Sequence, residues 1–182
     1  MSPSPSPTAY VILGVLGLGP HSGYDIKQLA DISTRHFWAI SYGQIYPELK
    51  RLTQSGLIKS KDASRGTRQR TLYRLTSKGR QTLHSWAADP AIASCELRDE
   101  MLLKLFFSDA MSRKETVRHL EAMRKRHQEV AAGLREHEPM VAAQPHQMKY
   151  EVMRFGIALH DWCADWYGRL AKDLETGKEA KR

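Results

Sequence analysis

The chain has 182 residues, of which 41% are hydrophobic and 26% charged, with two cysteines, Cys95 and Cys163. These proportions are typical of one or two folded domains and exclude wholesale disorder, collagen-like repeats and a disulfide framework. No run approaches the roughly 18 to 20 apolar residues of a membrane span. Residues 1–7 lack the basic start of a signal peptide, so we expect a disordered leader there and a cytoplasmic location.

The formal net charge of +8 lies almost entirely in the first half of the chain. Residues 1–90 contain twelve Lys or Arg against five Asp or Glu, whereas residues 91–182 contain sixteen against fifteen. A localised positive field attracts polyanions and raises their encounter rate. The composition therefore predicts nucleic acid as the first partner to test, with an anionic membrane surface as the second.

The first 60 residues predict three short helices. Thr8 is a candidate N-cap of the first helix, which ends near Gly17; Ser22 caps the second; the third begins near Ser41 and stops at Gly56. The apolar positions of the three helices are Ala9, Val11, Ile12, Val15, Leu16 and Leu18, then Tyr24, Ile26, Leu29, Ala30 and Ile32, then Ile45, Leu49 and Leu52. Three short helices of this kind are typical of a compact unit.

A basic hairpin and a fourth helix follow. Residues 57–59 and 71–75 have the composition of two strands, and the polar, Gly-containing segment between them predicts a long turn. Thr76 caps the next helix, and Pro90 ends it, which places a domain boundary at 90. The order helix, helix, helix, hairpin, helix predicts a winged helix-turn-helix at 8–90, in a mostly α chain with a small β-wing.

Residues 91–175 predict long helices, followed by a frayed tail at 176–182. Three apolar faces recur at intervals of three and four residues: Leu97, Met101, Leu102, Leu105 and Phe106; Val117, Leu120, Met123, Val130 and Leu134; and Met148, Val152, Phe155, Leu159, Trp162, Trp166 and Leu170. Ser112 with Glu115 opens the second helix, and 139–145 breaks the chain before the third. Long helices with such faces must pack on each other or on another chain.

The winged helix-turn-helix suits duplex DNA, because its recognition helix fits the major groove and its hairpin reaches phosphates. Glutamine pairs with adenine edges, whereas Ser, Tyr, Lys and Arg hold phosphate oxygens. The predicted DNA-binding residues are Ser41, Gln44, Tyr46, Lys50 and Arg51 on the third helix and Lys61, Arg65, Arg68 and Arg70 on the hairpin. The alternative is a solvated basic loop on a protein that binds no DNA.

At these positions the sequence resembles the PadR family of bacterial transcriptional regulators. The resemblance rests on Gly-Tyr-Asp-Ile at 23–26, Phe-Trp at 37–38, Gly-Gln-Ile-Tyr-Pro-Glu-Leu at 43–49 and Gly-Leu-Ile at 56–58. Arg70, Tyr73, Leu75, Thr76 and Gly79 complete it. Over about 70 residues, the order and spacing are far more specific than a generic winged helix. The second half is similar in pattern to the family's longer type, whose C-terminal helices form the dimer contact.

The resemblance implies a homodimer that binds a roughly palindromic operator, usually represses transcription and, in some members, releases DNA when a small molecule binds. The residues expected at the dimer interface are Leu120, Met123, Val152, Phe155, Leu159, Trp162 and Trp166. An intramolecular helical hairpin is the compatible alternative. The residues expected to line an aromatic effector pocket are Trp38, Trp86, Phe106, Trp162 and Trp166. Alternatively, these aromatic residues are ordinary core residues that line no ligand pocket.

No cofactor and no metal site are expected. His160 and Cys163 lie three apart on one helix, but a structural zinc site needs about four ligands, and no second pair accompanies them. Phosphate-binding, nucleophile-elbow and zinc-protease motifs are all missing from the sequence, so we expect no enzyme. The expected partners are double-stranded DNA, a second copy and a small aromatic ligand, without a membrane. Two other functions stay open: a non-specific architectural nucleic-acid binder and a helical protein-interaction scaffold.

Overall fold

A computed structural model describes residues 4–63, 70–91, 97–143 and 147–177. The chain divides into two compact units, residues 1–93 and residues 94–182. Each unit has its own buried apolar cluster.

The first unit consists of helices and one antiparallel hairpin. Its elements are α1 Pro7–Leu16, α2 Gly23–Ile32, α3 Tyr42–Gln54, β1 Ile58–Asp62, β2 Thr71–Leu75 and α4 Ser77–Ala88. The strands pair with Ile58 opposite Leu75 and Asp62 opposite Thr71. Gly56 has φ +71°, the left-handed backbone that favours glycine after a helix. The order of elements confirms the predicted winged helix-turn-helix.

The start of α1 differs from the prediction. Ser6, rather than Thr8, is its N-cap, and the Ser6 hydroxyl accepts a hydrogen bond from the backbone N–H of Ala9. Pro7 then occupies the first helical position, where a missing N–H costs nothing. The predicted cap of α2 at Ser22 is confirmed.

The core of the first unit is shared by its helices and its hairpin. Its largest fully buried side chains are Ile12, Leu13, Ile26, Ile45, Leu49 and Ile58. Tyr24 and Ile32, assigned from the sequence to the buried face of α2, are 59% and 63% exposed. At about 100° per residue they lie on the side of α2 opposite Ile26. The buried face of α2 is therefore the single row of Gly23, Ile26 and Ala30.

The second unit is helical throughout its described part. It contains α5 Glu100–Phe106, a short 3-10 turn Ser108–Ala110, α6 Arg113–Ala142 and α7 Gln147–Thr176. Ser112 and Glu115 form the predicted capping box at the start of α6. Within the described ranges of both units, no helix combines the length and the apolar character needed to cross a membrane.

The predicted break at 139–145 starts later than expected, because α6 continues through Pro139 to Ala142, and α7 begins at Gln147. Pro139 falls in the last turn, so it removes only the hydrogen bond to the carbonyl of Arg135. The hydroxyl of Tyr150 on α7 donates to Glu138 at 3.0 Å and ties this end of α6 to its neighbour. Packing against α7 thus offsets the lost hydrogen bond.

Helices α6 and α7 pack antiparallel. Arg113, at the start of α6, donates to the carbonyl of Leu174 near the end of α7. Further along, Arg135 of α6 forms an ion pair with Asp161 of α7. These contacts at two levels fix the register of the helical pair.

The apolar face predicted on α7 does not fill the seam with α6. The buried residues of the two helices include Leu120, Met123, Ala131 and Leu134 on α6 and Ala164, Tyr167 and Ala171 on α7. The predicted face is instead largely exposed: Met148 68%, Val152 48%, Phe155 67%, Leu159 44% and Trp162 59%. Ala164 and Ala171 let the helices approach closely on either side of the buried Tyr167, and these five larger side chains lie outside the seam.

Close packing of α4 on the hairpin gives a stability prediction. A Cβ atom on Gly79 would lie 2.1 Å from the carbonyl oxygen of Leu57 and 2.9 Å from Cδ1 of Leu75. Gly79→Ala must displace backbone, so we expect it to lower the free energy of unfolding by about 2 to 3 kcal/mol in urea titrations. The control Gly14→Ala, which meets no atom within 4 Å on α1, should stabilise by up to about 1 kcal/mol. Wild-type stability in Gly79→Ala would contradict this packing.

Candidate nucleic-acid interface

Helix α3 has one face in the core and the other in solvent. Ile45, Leu49 and Leu52 are buried, which fixes the rotation of the helix about its axis. The predicted DNA-binding residues on the opposite side, Ser41, Gln44, Tyr46, Lys50 and Arg51, are all exposed. Packing therefore presents these polar side chains together on one surface.

Gln44 has a structural role that the sequence reasoning missed. Its Oε1 accepts hydrogen bonds from the backbone N–H of Ser41 at 2.9 Å and from the Ser41 hydroxyl at 3.1 Å. A backbone N–H only donates, so the amide oxygen must face the cap. The Nε2 group of Gln44 is thus the part of the side chain left for an external acceptor.

Arg51 is held beside a buried carboxylate. Its Nη1 donates to Oε2 of Glu48 at 2.7 Å, and the Glu48 side chain is only 7% exposed whereas that of Arg51 is 71% exposed. A buried carboxylate needs a partner, so this pair both satisfies Glu48 and fixes the direction of Arg51. The guanidinium still faces solvent and can reach a phosphate.

A shallow groove of about 390 Å³ separates α3 from the hairpin. Tyr46 and Lys50 lie on its helix side, and Ser60, Asp62 and Tyr73 lie on its strand side. Burial raises the pKa of the Tyr73 hydroxyl, and the nearby Tyr46 and Asp62 raise it further. Tyr73 therefore keeps its proton and offers a hydrogen-bond donor at this edge.

The hairpin is joined to the turn before α2. His21 and Tyr73 exchange two backbone hydrogen bonds, of 3.1 Å and 2.9 Å, in an isolated antiparallel bridge. Lys61 is exposed on β1. Arg65 and Arg68, predicted to bind DNA from the hairpin tip, lie outside the described residues.

Arg70 ties the base of the hairpin to the start of α2. Its Nη2 lies 2.5 Å from Oδ2 of Asp25, and the Arg70 side chain is 55% exposed. Burial acts to raise the pKa of Asp25, but hydrogen bonds from the backbone and hydroxyl of Ser22 and from Arg70 outweigh it, so the pKa is lowered. Asp25 thus stays ionised, and Arg70 has a local partner as well as its predicted role toward DNA.

Two tyrosines that the sequence reasoning left out belong to the same surface. Tyr24 at the start of α2 and Tyr42 at the start of α3 are exposed. Their rings stack with centroids 6.4 Å apart, and Tyr42 stacks on Tyr46 at 6.3 Å. The spacing of Tyr42 and Tyr46, four residues apart on one helix, was a signal that could have found this pair.

The predicted effector residues are divided between the two units. Trp38 and Trp86 lie in the first unit, and Phe106, Trp162 and Trp166 lie in the second. Trp86 stacks on Tyr10 with ring centroids 4.4 Å apart, and Trp162 stacks on Trp166 at 6.4 Å. Trp86 and Trp162 are more than half exposed, so each has surface free of its stacking partner. A ligand site at these rings stays a prediction.

The predicted interface residues fall into two groups. Leu120 and Met123 are fully buried and pack with Tyr167 inside the helical pair. Their apolar surface is therefore used within the chain, which corrects their assignment to a surface between chains. The exposed group consists of Val152, Phe155, Leu159 and Trp162, with Trp166 partly buried beside it.

A histidine pair lies between α6 and α7. Nδ1 of His127 and Nδ1 of His160 are 2.8 Å apart, and the His127 ring stacks on Tyr167. At this distance one Nδ1 must donate and the other accept.

In the part of the chain that the structure describes, no group of three or more His, Cys, Asp or Glu is arranged to hold a metal. Burial raises the pKa of the Cys163 thiol, and Cys95 lies outside the described residues.

Helix α3, its exposed polar face and the adjoining hairpin define a winged helix-turn-helix of the DNA-binding class. Residues 12–85 match the model of the Transcriptional regulator PadR-like family, and residues 97–175 match that of Virulence activator alpha C-term. The two matches follow one another along most of the chain. The chain therefore contains a PadR-like transcriptional regulator domain followed by a Virulence activator alpha C-term region.

Individual relatives agree with this assignment. The negative transcriptional regulator PadR of Bacillus subtilis is 39% identical over 107 residues, which are 58% of this chain and 59% of that relative, less than two thirds of its length. The crystal structure of Bacillus subtilis PadR in complex with operator DNA matches with a TM-score of 0.83 and 28% identity, over 92% of this chain and 98% of that one. The crystal structure of Bacillus subtilis PadR in complex with p-coumaric acid matches with a TM-score of 0.75 and 28% identity, over 92% and 98%.

The histidine pair predicts an acid-sensitive second unit. Burial lowers the pKa of His127 below its ordinary 6.5, with Arg126 acting in the same direction and Asp99 opposing. The unfolded chain then binds more protons than the folded one, so stability is lost as the pH falls below about 6.5. We expect the thermal midpoint to drop between about pH 7.5 and pH 5.5, and to drop less in His127→Gln.

His84→Gln, on the exposed surface of α4, is the matched control and should keep the full drop with pH. An identical pH dependence in His127→Gln and in the wild type would contradict the assignment to His127.

Proposed function

We propose that this chain is a sequence-specific DNA-binding repressor that acts as a homodimer on a near-palindromic operator in the bacterial cytoplasm. A small aromatic ligand releases it from DNA. The proposal is carried by the exposed polar face of α3 beside a basic hairpin, in a fold that matches Bacillus subtilis PadR in complex with operator DNA over 92% of this chain. The activity is binding, without catalysis.

Base reading comes from the donor group of Gln44. Because Oε1 accepts from Ser41, the side chain does not offer adenine both a donor and an acceptor at once. Nε2 donates to a purine N7 or to another acceptor in the major groove. Lys50 and Arg51, exposed on the same side of α3, bind phosphates and set the position of the helix.

Dimer formation uses the exposed face of α7. Val152, Phe155, Leu159 and Trp162 form a continuous apolar stripe at helical spacing, each 44–67% exposed. A second copy of the chain covers it, since an isologous contact lets the same stripe serve both partners. The dimer then brings two α3 helices to two half-sites on one face of the duplex.

Release by a ligand uses the exposed aromatic rings. Bacillus subtilis PadR has been crystallised with p-coumaric acid, a flat aromatic compound. In this chain Trp162 stacks on Trp166 next to the proposed dimer stripe, and Trp162 keeps more than half of its surface exposed. A flat ring that stacks there competes with packing between the two copies. Loss of the dimer then separates the half-site contacts and releases the operator.

Substitution of Gln44 separates base reading from helix capping. Gln44→Glu keeps the oxygen that caps α3 but removes the amide donor, so the ratio of affinities for upstream and scrambled DNA should fall about tenfold or more. Its thermal midpoint should stay near the wild-type value. Gln44→Ala should lower the same ratio and also remove about 1 kcal/mol of stability with the cap. Fluorescence anisotropy and thermal unfolding measure the two effects.

Gln28→Glu, which adds the same charge on an exposed position of α2, controls for electrostatic repulsion. It should weaken both duplexes alike and leave the ratio unchanged. A wild-type ratio in both Gln44 variants would refute the role of Gln44 and favour an architectural binder.

The stripe on α7 predicts a dimer that a single charge disrupts. Phe155→Glu and Trp162→Glu should each convert the protein to monomers at micromolar concentration, because a carboxylate would be buried without a partner. Sedimentation velocity measures the change. Gln128→Glu, at an exposed position of α6, should stay dimeric. A wild-type monomer, or dimers in both stripe variants, would exclude this interface.

A further inference from the structure

Three tyrosines form a continuous exposed strip across the starts of two helices. Tyr24 lies in the first turn of α2, Tyr42 is the first residue of α3, and Tyr46 lies one turn further along α3. Their rings are nearly parallel, with interplanar angles of 18° and 19° and centroid steps of 6.4 Å and 6.3 Å. We call Tyr24, Tyr42 and Tyr46 the tyrosine strip.

Packing within the unit does not account for the strip. The three side chains are 59%, 40% and 52% exposed, respectively. Among the residues that the structure describes, none of their hydroxyl groups has a hydrogen-bond partner. A stacked row of exposed rings with free hydroxyls suits a ligand that offers both apolar edges and acceptors.

The ring of Tyr46 lies close to α2 as well as to its own helix, α3. A Cβ atom on Gly23 would lie 2.8 Å from the Tyr46 ring, so the glycine at the start of α2 lets this ring pack close to α2 in its present position. This close approach brings the two tyrosines of α3 next to the helix that carries Tyr24. One rigid surface therefore spans both helices of the helix-turn-helix.

The charged groups around the strip do not oppose binding of an anion. Lys27 lies 5.8 Å from the centre of the Tyr42 ring and pairs with Asp31. The carboxylate nearest the start of α2, Asp25, is paired with Arg70 and accepts from Ser22. Both carboxylates are thus balanced by cations, and no unpaired negative charge among these groups repels a phosphate.

We propose that the tyrosine strip binds the sugar–phosphate backbone of duplex DNA beside the major groove entered by α3. The inference rests on the proposed function and adds Tyr24 and Tyr42 to its contacts. Each hydroxyl donates to a phosphate oxygen, and the ring faces contact the sugars between them. Contacts of this kind fix the register of the recognition helix without reading sequence.

The spacing of the strip suits one strand. Successive phosphates on a strand rise about 3.4 Å along the axis and are further separated because the strand winds around it. The steps of 6.3–6.4 Å between ring centroids are of the same order as this separation, so successive rings can lie along successive phosphates. Because a neutral hydroxyl displaces no condensed cation, these contacts add affinity without adding to the salt dependence.

Tyr→Phe substitutions test the strip, since they remove only the hydroxyl. Tyr24→Phe and Tyr42→Phe should each weaken binding about tenfold, the loss of one hydrogen bond to a charged acceptor. The loss should be equal for upstream and scrambled duplexes, and the slope of log K against log salt should not change. Lys50→Ala should instead reduce that slope by about 0.9. Anisotropy titrations across a salt series measure all three quantities.

Tyr10→Phe is the matched control, because Tyr10 of α1 stacks on Trp86 of α4 and has no ring contact with the strip, so this variant should bind as the wild type does. Wild-type affinity in both strip variants, a loss confined to the upstream duplex, or a changed salt slope would overturn the proposal. Each of these results presupposes a wild-type protein that binds DNA. Absence of any wild-type binding would instead refute the proposed function itself.

Discussion

The burial of one face of α3 is the constraint on which the proposed interface depends. Ile45 and Leu49 are almost completely excluded from solvent within a core that the other helices and the hairpin share. Their burial leaves α3 no freedom to rotate, so Gln44 and Lys50 must face outward. The hairpin is fixed to the same frame through the Arg70–Asp25 ion pair and the strand bridge at His21. Recognition thus begins from a preorganised surface, which reduces the ordering that binding requires.

The packing of α6 on α7 determines which residues of the second unit are exposed. The seam between α6 and α7 is built with Ala164, Tyr167 and Ala171 on α7, and Val152, Phe155, Leu159 and Trp162 stay exposed outside it. An exposed stripe of this size is unusual on a monomer. The packing of α6 on α7 therefore leaves exposed the stripe that forms the proposed contact between copies. The stacked rings of Trp162 and Trp166 lie beside that stripe, where a bound ligand would interfere with the contact.

Much of the fold was predictable because local signals agree with packing: the cap at Ser22, the stop at Gly56 and the strand pattern at 71–75 all appear as expected. Periodicity marks an apolar face, but it cannot tell whether the same chain or a second one covers it, so the sequence left both possibilities open for the stripe on α7. The capping role of Gln44 was visible in its spacing from Ser41, the pattern that correctly predicted the box at Ser112 and Glu115. The exposure of Tyr24 depends on how α2 is rotated against the core, which composition does not encode.

In the proposed function, the first unit reads a specific duplex as part of a dimer. The most direct test is equilibrium binding of the wild-type protein to the DNA upstream of its own gene and to a scrambled duplex of equal length, each across a salt series. The account predicts an affinity for the upstream duplex that is higher by about 10³ or more, with two chains bound per site. Equal affinities that fall together with salt would contradict it, because phosphate contacts alone would then explain all of the binding.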